Sequence, residues 1–489
     1  MTGRKPDAEP EMAPRAAPEI MPDATPETTP PGMPGDAPSG RSIRWGRWLA
    51  VNAAIGVYLT YAFVAPASPV KRALLPGKTT HGHYQIEMAC DQCHAAADNQ
   101  ADHSSGDVLQ DACVRCHQDS LSKYDTHPAK KFRDPTNAAL LQILDAQSCL
   151  ACHQEHVPER TSAAGLTVPA DYCWHCHDDV GEHRQSHVGM SFDSCSTAGC
   201  HNYHDNRAIY EKFLDKHYGE PDHFDVAVLP MRDFGDRWQT NHDAEPLTVA
   251  QADAPSSAMR DETILQGWAT TAHAAAGVQC TECHRGGASD DTDGDWSNTV
   301  SMDQCQTCHD PQVESFVRGK HGMRLAAGLT PMQPSMARLP MHAGAAHAEL
   351  TCNACHAGHR YDTAYAAAEA CLKCHADSHS VAYVDSAHAD LWLAEQSGDG
   401  SAGSGVSCAS CHMPRLETDD GIVVQHNQSE VLHPSETMAR QVCGHCHGLE
   451  YSLSALADAD VVAGCFVDPP SEVQPSVEMA HEYFESRRR

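Results

Sequence analysis

The chain has 489 residues, enough for two or three domains, and 66 Asp and Glu against 34 Lys and Arg leave a formal charge of −32 with His neutral. Such acidity weighs against nucleic acid and anionic lipid surfaces as partners and suits a basic or neutral one. Aromatic residues make up 6%, with nine Phe against 33 Gly and 30 Pro, too little large apolar side chain for an ordinary core of this size.

Residues 1–40 hold ten of the thirty prolines among Glu, Asp, Ala and Met, a composition that predicts a disordered tail. Arg41, Arg44 and Arg47 then precede an uncharged run of twenty residues from Trp48 to Ala67, long enough to cross a bilayer as a helix. Trp45, Trp48, Tyr58 and Tyr61 suit an interfacial belt, and the arginines put the N-terminal tail in the cytoplasm. A cleaved signal peptide is the competing reading, because Ala65-Pro-Ala67 resembles a small-residue cleavage site. The run is longer than a usual signal-peptide core, so 41–67 is expected to be an uncleaved basic flank and single-pass anchor in a bacterial inner membrane. Everything after it would lie in the periplasm.

One motif dominates the rest. Cys-x-x-Cys-His occurs at Cys90/Cys93/His94, Cys113/Cys116/His117, Cys149/Cys152/His153, Cys173/Cys176/His177 and Cys280/Cys283/His284. It recurs at Cys305/Cys308/His309, Cys352/Cys355/His356, Cys371/Cys374/His375, Cys408/Cys411/His412 and Cys443/Cys446/His447. An eleventh copy, Cys195-Ser-Thr-Ala-Gly-Cys200-His201, has four residues between its cysteines. Two cysteines at this spacing can add to the two vinyl groups of one porphyrin, and the His that follows can ligate its iron. Zinc sites and redox dithiols use paired cysteines too, but neither requires His directly after the second one. We read eleven covalent haem c groups. Their apolar faces would replace the missing core, which predicts a mostly α and irregular fold with little β-structure that does not form without haem.

The motifs divide the chain into a five-haem segment over 68–225, a linker over 226–262, a six-haem segment over 263–460 and a tail over 461–489. A helix is expected from Asn137 to Ala146, running into Cys149, and another from Tyr203 to Tyr218. The stretch from Asp243 to Met259, rich in Ala, Pro, Ser, Asp and Glu, marks the boundary. Cys465 is the only cysteine outside a motif and reads as an unpaired or partly buried thiol.

The densely spaced motifs of the first segment resemble the class III cytochromes of the c3 and c7 type, from which it departs in its fifth, stretched site. Gly277 to His284, the phrase Gly405-Val-Ser-Cys-Ala-Ser-Cys-His-Met-Pro-Arg415 and the run from His426 to His447 are similar to another group. That group is the superfamily of cytochrome c554, hydroxylamine oxidoreductase and pentahaem nitrite reductase. The resemblances imply closely stacked haems with a second His on each iron, brought from distant sequence.

Function turns on that sixth position, since a second His leaves an iron only electrons to pass, whereas an open iron admits small molecules such as nitrite or hydroxylamine. The chain has 34 His, 11 of them in motifs, leaving 23 for distal positions. In the first half the candidates are His81, His83, His103, His127, His156, His187, His204 and His217. In the second they are His273, His321, His347, His359, His379, His388, His426 and His433. His175 and His445 sit between the cysteines of their own motifs and are poorly placed. Met88 and Met413 are alternative distal ligands.

An enzyme resembling the nitrite reductases would carry Lys in place of one motif His, and none does here. One resembling hydroxylamine oxidoreductase would need a cross-linking Tyr, and no spacing singles out Tyr361, Tyr365, Tyr383 or Tyr451. An anchored quinol dehydrogenase is a third reading, which the Ala-Ala-Ala after His94 fits only in part. The sequence points to an electron carrier between a membrane-side donor, including quinol, and a redox protein, with a multihaem oxidoreductase of nitrogen or sulfur compounds as the alternative.

Overall fold

The computed structural model describes residues 40–64, 76–94, 108–122, 127, 129–162, 165–195, 203–205, 209, 211–230, 245–259, 261–285, 296–418, 421–432 and 435–489. The tail expected over 1–40 lies outside them except for its last residue, as do His103, Cys200, His201, His433 and the middle of the expected linker.

Two units form. The first ends at Val64 and contains helix α1, Gly40–Val64. Its large apolar side chains, Trp45, Trp48, Leu49, Val51, Ile55, Val57, Tyr58, Leu59 and Tyr61, are all exposed. Asn52 donates to the carbonyl of Trp48 and Thr60 to that of Gly56, so the polar side chains of the run are satisfied by their own helix. No helix among the described residues is long and apolar enough to cross a membrane.

Residues 65–489 close into the second unit. Its longer helices are α2 (Val108–Ser122), α3 (Glu211–Lys216), α4 (Glu262–Ala269), α5 (Met302–Arg318) and α6 (Ala387–Ser397). Three more follow near the C-terminus: α7 (Ser435–Gln441), α8 (Leu449–Ala457) and α9 (Pro475–Arg488). Among the described residues one antiparallel hairpin supplies the strands, β1 (Arg415–Thr418) and β2 (Gly421–Val424), in register Arg415 to Val424.

Local signals explain where helices begin and end. The Ser301 hydroxyl and Gln304 form a capping box on α5, and Pro311 inside it accompanies a break at His309 (φ −116°, ψ 37°). The Ser386 side chain accepts from the Ala389 N–H to start α6, which ends on left-handed Gly398 (φ 83°).

Two helices are shorter than expected. Over 137–146 only Ala138–Leu141 is α-helical, because Gln142 and Ile143 N–H bond back three residues and turn the chain toward Cys149. Of 203–218, the described helix is α3 alone.

The apolar core is small and scattered, as the composition requires. Ile209, Ala439, Leu449, Leu453 and Val477 form one cluster, Ala368, Tyr383, Ala389, Trp392 and Cys465 a second, and Val431, Met438 and Val442 a third. Early and late sequence interlock: Phe224 N–H donates to Cys446 O (2.9 Å), Leu229 N–H to Gly403 O (2.9 Å) and Arg324 Nη1 to Gln85 O (2.8 Å). Residues 245–259 pack on the second half, where Leu247 N–H donates to Ala274 O (2.8 Å) and Asp253 accepts from Thr281 N–H (3.1 Å).

Candidate haem sites

Each regular motif folds as about one helical turn. The His N–H closes it onto the first Cys carbonyl at His94 (2.7 Å), His153 (2.9 Å), His177 (3.1 Å), His284 (3.0 Å), His375 (2.9 Å) and His447 (2.8 Å). The motifs of His117 and His309 lie in α2 and α5, and Cys352–His356 and Cys408–His412 are short helices. Residues three and four apart on a helix share a face, so both sulfurs and the imidazole emerge on one side. That is the arrangement two thioethers and one axial ligand need.

Every one of the ten described motif histidines then meets a second His from elsewhere in the chain. In the first half the ring centroids pair as His83–His117 (6.0 Å), His94–His156 (6.5 Å), His127–His177 (6.0 Å) and His153–His204 (6.3 Å). In the second they pair as His273–His309 (5.9 Å), His284–His359 (5.5 Å), His321–His375 (6.2 Å), His356–His426 (6.3 Å), His379–His412 (6.0 Å) and His388–His447 (6.1 Å). Two metal–nitrogen bonds of about 2 Å, plus roughly 1 Å from each nitrogen to its ring centre, give about 6 Å, so the spacing fits one iron between each pair. Among the described residues no group of three or more His, Cys, Asp or Glu is arranged to hold a bare metal ion.

The far nitrogens are fixed as ligands require. His153, His156, His284, His379, His426 and His447 donate Nδ1–H to the carbonyls of Gly165 (3.2 Å), Gly77 (3.0 Å), Ser297 (2.7 Å), Val462 (2.5 Å), Val424 (2.9 Å) and Asp222 (2.9 Å). His127 does the same to Tyr203. A carbonyl only accepts, so the proton sits on Nδ1 and Nε2 keeps its lone pair for a metal. In the pair His284–His359 the two Nε2 atoms face each other at 3.3 Å. Burial pushes His117, His153, His273, His356, His359, His388, His412 and His447 below the ordinary imidazole range. It pushes His321 down to about 4, and neutral rings are what ligation needs.

Ten of the sixteen distal candidates therefore sit opposite a motif His. His81 and His347 are exposed, and half-buried His217 turns Nδ1 to Glu220 Oε1 (2.6 Å); none faces a described motif ring. His187 lies half-buried in the turn Gln185–His187. The positions opposite His94 and His412 are filled by His156 and His379, which leaves none there for Met88 or Met413. Cys465 is buried, with its sulfur 3.7 Å from His379 Nε2.

Successive motifs also touch. The sulfurs of Cys173 and Cys195, Cys305 and Cys352, and Cys371 and Cys408 lie close together in pairs. Cys93 lies within electrostatic reach of Cys113 and Cys116, Cys283 of Cys305 and Cys308, Cys355 of Cys371 and Cys374, and Cys411 of Cys443 and Cys446. From Cys280 to Cys446 each attachment turn thus abuts the next.

The cytochrome c3 family model matches residues 82–178 and 272–376, while no curated protein and no solved structure matches the chain. The two matched regions support a multihaem c-type cytochrome with class III-like domains. The matched family implies covalently bound haem c and suggests multihaem electron transfer.

The two matched regions use their histidines in one order. His83 with His117 corresponds to His273 with His309, His94 with His156 to His284 with His359, and His127 with His177 to His321 with His375. The second match falls within the segment whose Cys-His-Met-Pro phrase resembles the cytochrome c554 superfamily, so class III character is not confined to the first half. A sequence signal for these pairs exists: a His three residues after a motif His serves the motif two places earlier. His156, His204 and His359 pair in this way with His94, His153 and His284.

Proposed function

We propose that the chain is an eleven-haem electron conduit held at the bacterial inner membrane by α1, with its haem-bearing part in the periplasm. One observation carries the conduit reading: all ten described motif histidines have a second His at about the separation of two axial ligands. With both axial positions filled, an iron exchanges electrons and binds no substrate. The abutting attachment turns support close packing of neighbouring groups, which a conduit needs.

The anchor reading rests on α1, whose large apolar side chains from Trp45 to Tyr61 are exposed and whose Asn52 and Thr60 are satisfied within the helix, as a lipid environment demands. Its uncharged run continues in sequence past Val64 to Ala67. The charge of −32 suits a basic or neutral soluble partner, with docking slowed by salt.

EPR of the oxidised protein with added nitrite or hydroxylamine tests the conduit. Low-spin signals unmoved by either ligand are expected. A high-spin signal that shifts on addition would favour an oxidoreductase. A pyridine haemochrome assay counts the haems, and retention in membranes after a high-salt wash tests the anchor.

A further inference from the structure

We propose that Glu155 is a positioning residue that lowers the reduction potential of the His83–His117 site relative to sites whose histidines donate to backbone carbonyls. The inference rests on the reading that these two imidazoles share one iron. Their rings lie 6.0 Å apart.

Glu155 is held on both sides. His153 before it is a motif ligand with Nδ1 on Gly165 O (3.2 Å), and His156 after it pairs with His94 and holds Gly77 O (3.0 Å). Gln154 N–H donates to Thr167 Oγ1 (3.1 Å). Four consecutive residues thus serve three haem sites, and the carboxylate between them has little freedom to turn away.

That carboxylate accepts three hydrogen bonds. Oε2 takes the Thr80 N–H (2.8 Å), and Oε1 takes both the Thr80 hydroxyl (2.8 Å) and His83 Nδ1–H (2.5 Å). Thr80 is buried, so water does not compete at that side. The carbonyl-bound ligand histidines donate to a neutral acceptor, and His375 Nδ1 stands 3.5 Å from Asp377, beyond a strong bond. A charged acceptor binds the Nδ1 proton more tightly. The imidazole then donates more electron density from Nε2, which favours the ferric over the ferrous state.

The test is a spectroelectrochemical titration of the full holoprotein, with haem counted by pyridine haemochrome. Glu155→Gln keeps the shape and removes the charge. One couple should move up in potential by about 59 mV or more, so that its ferric/ferrous ratio at a fixed potential falls tenfold or more. The others should stay, and one low-spin EPR signal should change its g-values. Thr80→Val takes one competing donor from the carboxylate and should move the same couple down. The opposite signs separate tuning from mere loosening. If Glu155→Gln fails to mature, Thr80→Val still carries the prediction. Titrations that superimpose on the parent for both variants, or a Thr80→Val shift upward, overturn the proposal. His83→Ala checks the underlying pairing: it should make one haem high-spin, and a fully low-spin spectrum would instead sink the assignment of His83 as a ligand.

Discussion

Gly77 and His156 stand far apart in sequence and are joined by one hydrogen bond, from His156 Nδ1–H to the Gly77 carbonyl at 3.0 Å. The approach needs glycine, because a Cβ at position 77 would lie 2.4 Å from the His156 carbonyl oxygen. His156 has no slack to yield, since its own backbone is already left-handed at φ 62°. Gly77→Ala should therefore displace His156 from the site it shares with His94 and cost about 1–3 kcal/mol of stability. Cys90 and Cys93 would still hold the porphyrin. The expected result is an unchanged haem count with one haem turned high-spin, read by EPR.

Ligand and bystander histidines should separate cleanly. His388 and His379 face His447 and His412 at 6.1 and 6.0 Å, whereas His217 is turned to Glu220. Replacing either of the first two by Ala should produce one high-spin haem. His217→Ala should leave the ten described His–His sites low-spin and lose at most about 1 kcal/mol of stability.

Glu436 is a buried carboxyl, 2% exposed, with no hydrogen-bond partner on Oε2. Burial lifts its pKa from 4.5 to about 7; Asp205 adds to the shift and Arg440 opposes it. A raised folded-state value means that the folded form binds the proton more tightly. Its contribution is thus full below about pH 4.5 and is lost as pH rises through about 7. Glu436→Gln should remove that slope, matching the parent near pH 4 and exceeding it near pH 8 by roughly 1–3 kcal/mol. Thermal melts at the two pH values check this, and an equal difference at both would count against it.

Haem and fold should be inseparable. Among the described residues the three apolar clusters hold few members each, which leaves most of those residues without a protein core to close on. Chain made without haem attachment should lose most of its far-UV helical signal and melt without cooperativity. A cooperative transition in such material would contradict this.

The attachment turns were readable from the sequence because their chemistry is local. Cys280, Cys283 and His284 lie within one helical turn, and i to i+4 geometry brings them together whatever surrounds them. The scarcity of strand followed just as directly from the many motifs and the few large apolar residues. The helix expected over 137–146 was cut short by a turn that no periodicity shows.

Ligand pairing was a different matter, and His81 and His83 show why. They share one short stretch, and no rule of composition or spacing prefers either. His83 meets His117 because Glu155, brought in from a distant segment, captures its Nδ1, while His81 stays in solvent. A motif cysteine and its His are neighbours along the chain, so sequence suffices to join them. Two axial imidazoles are neighbours only in space, and the packing of remote segments chose which ring arrived.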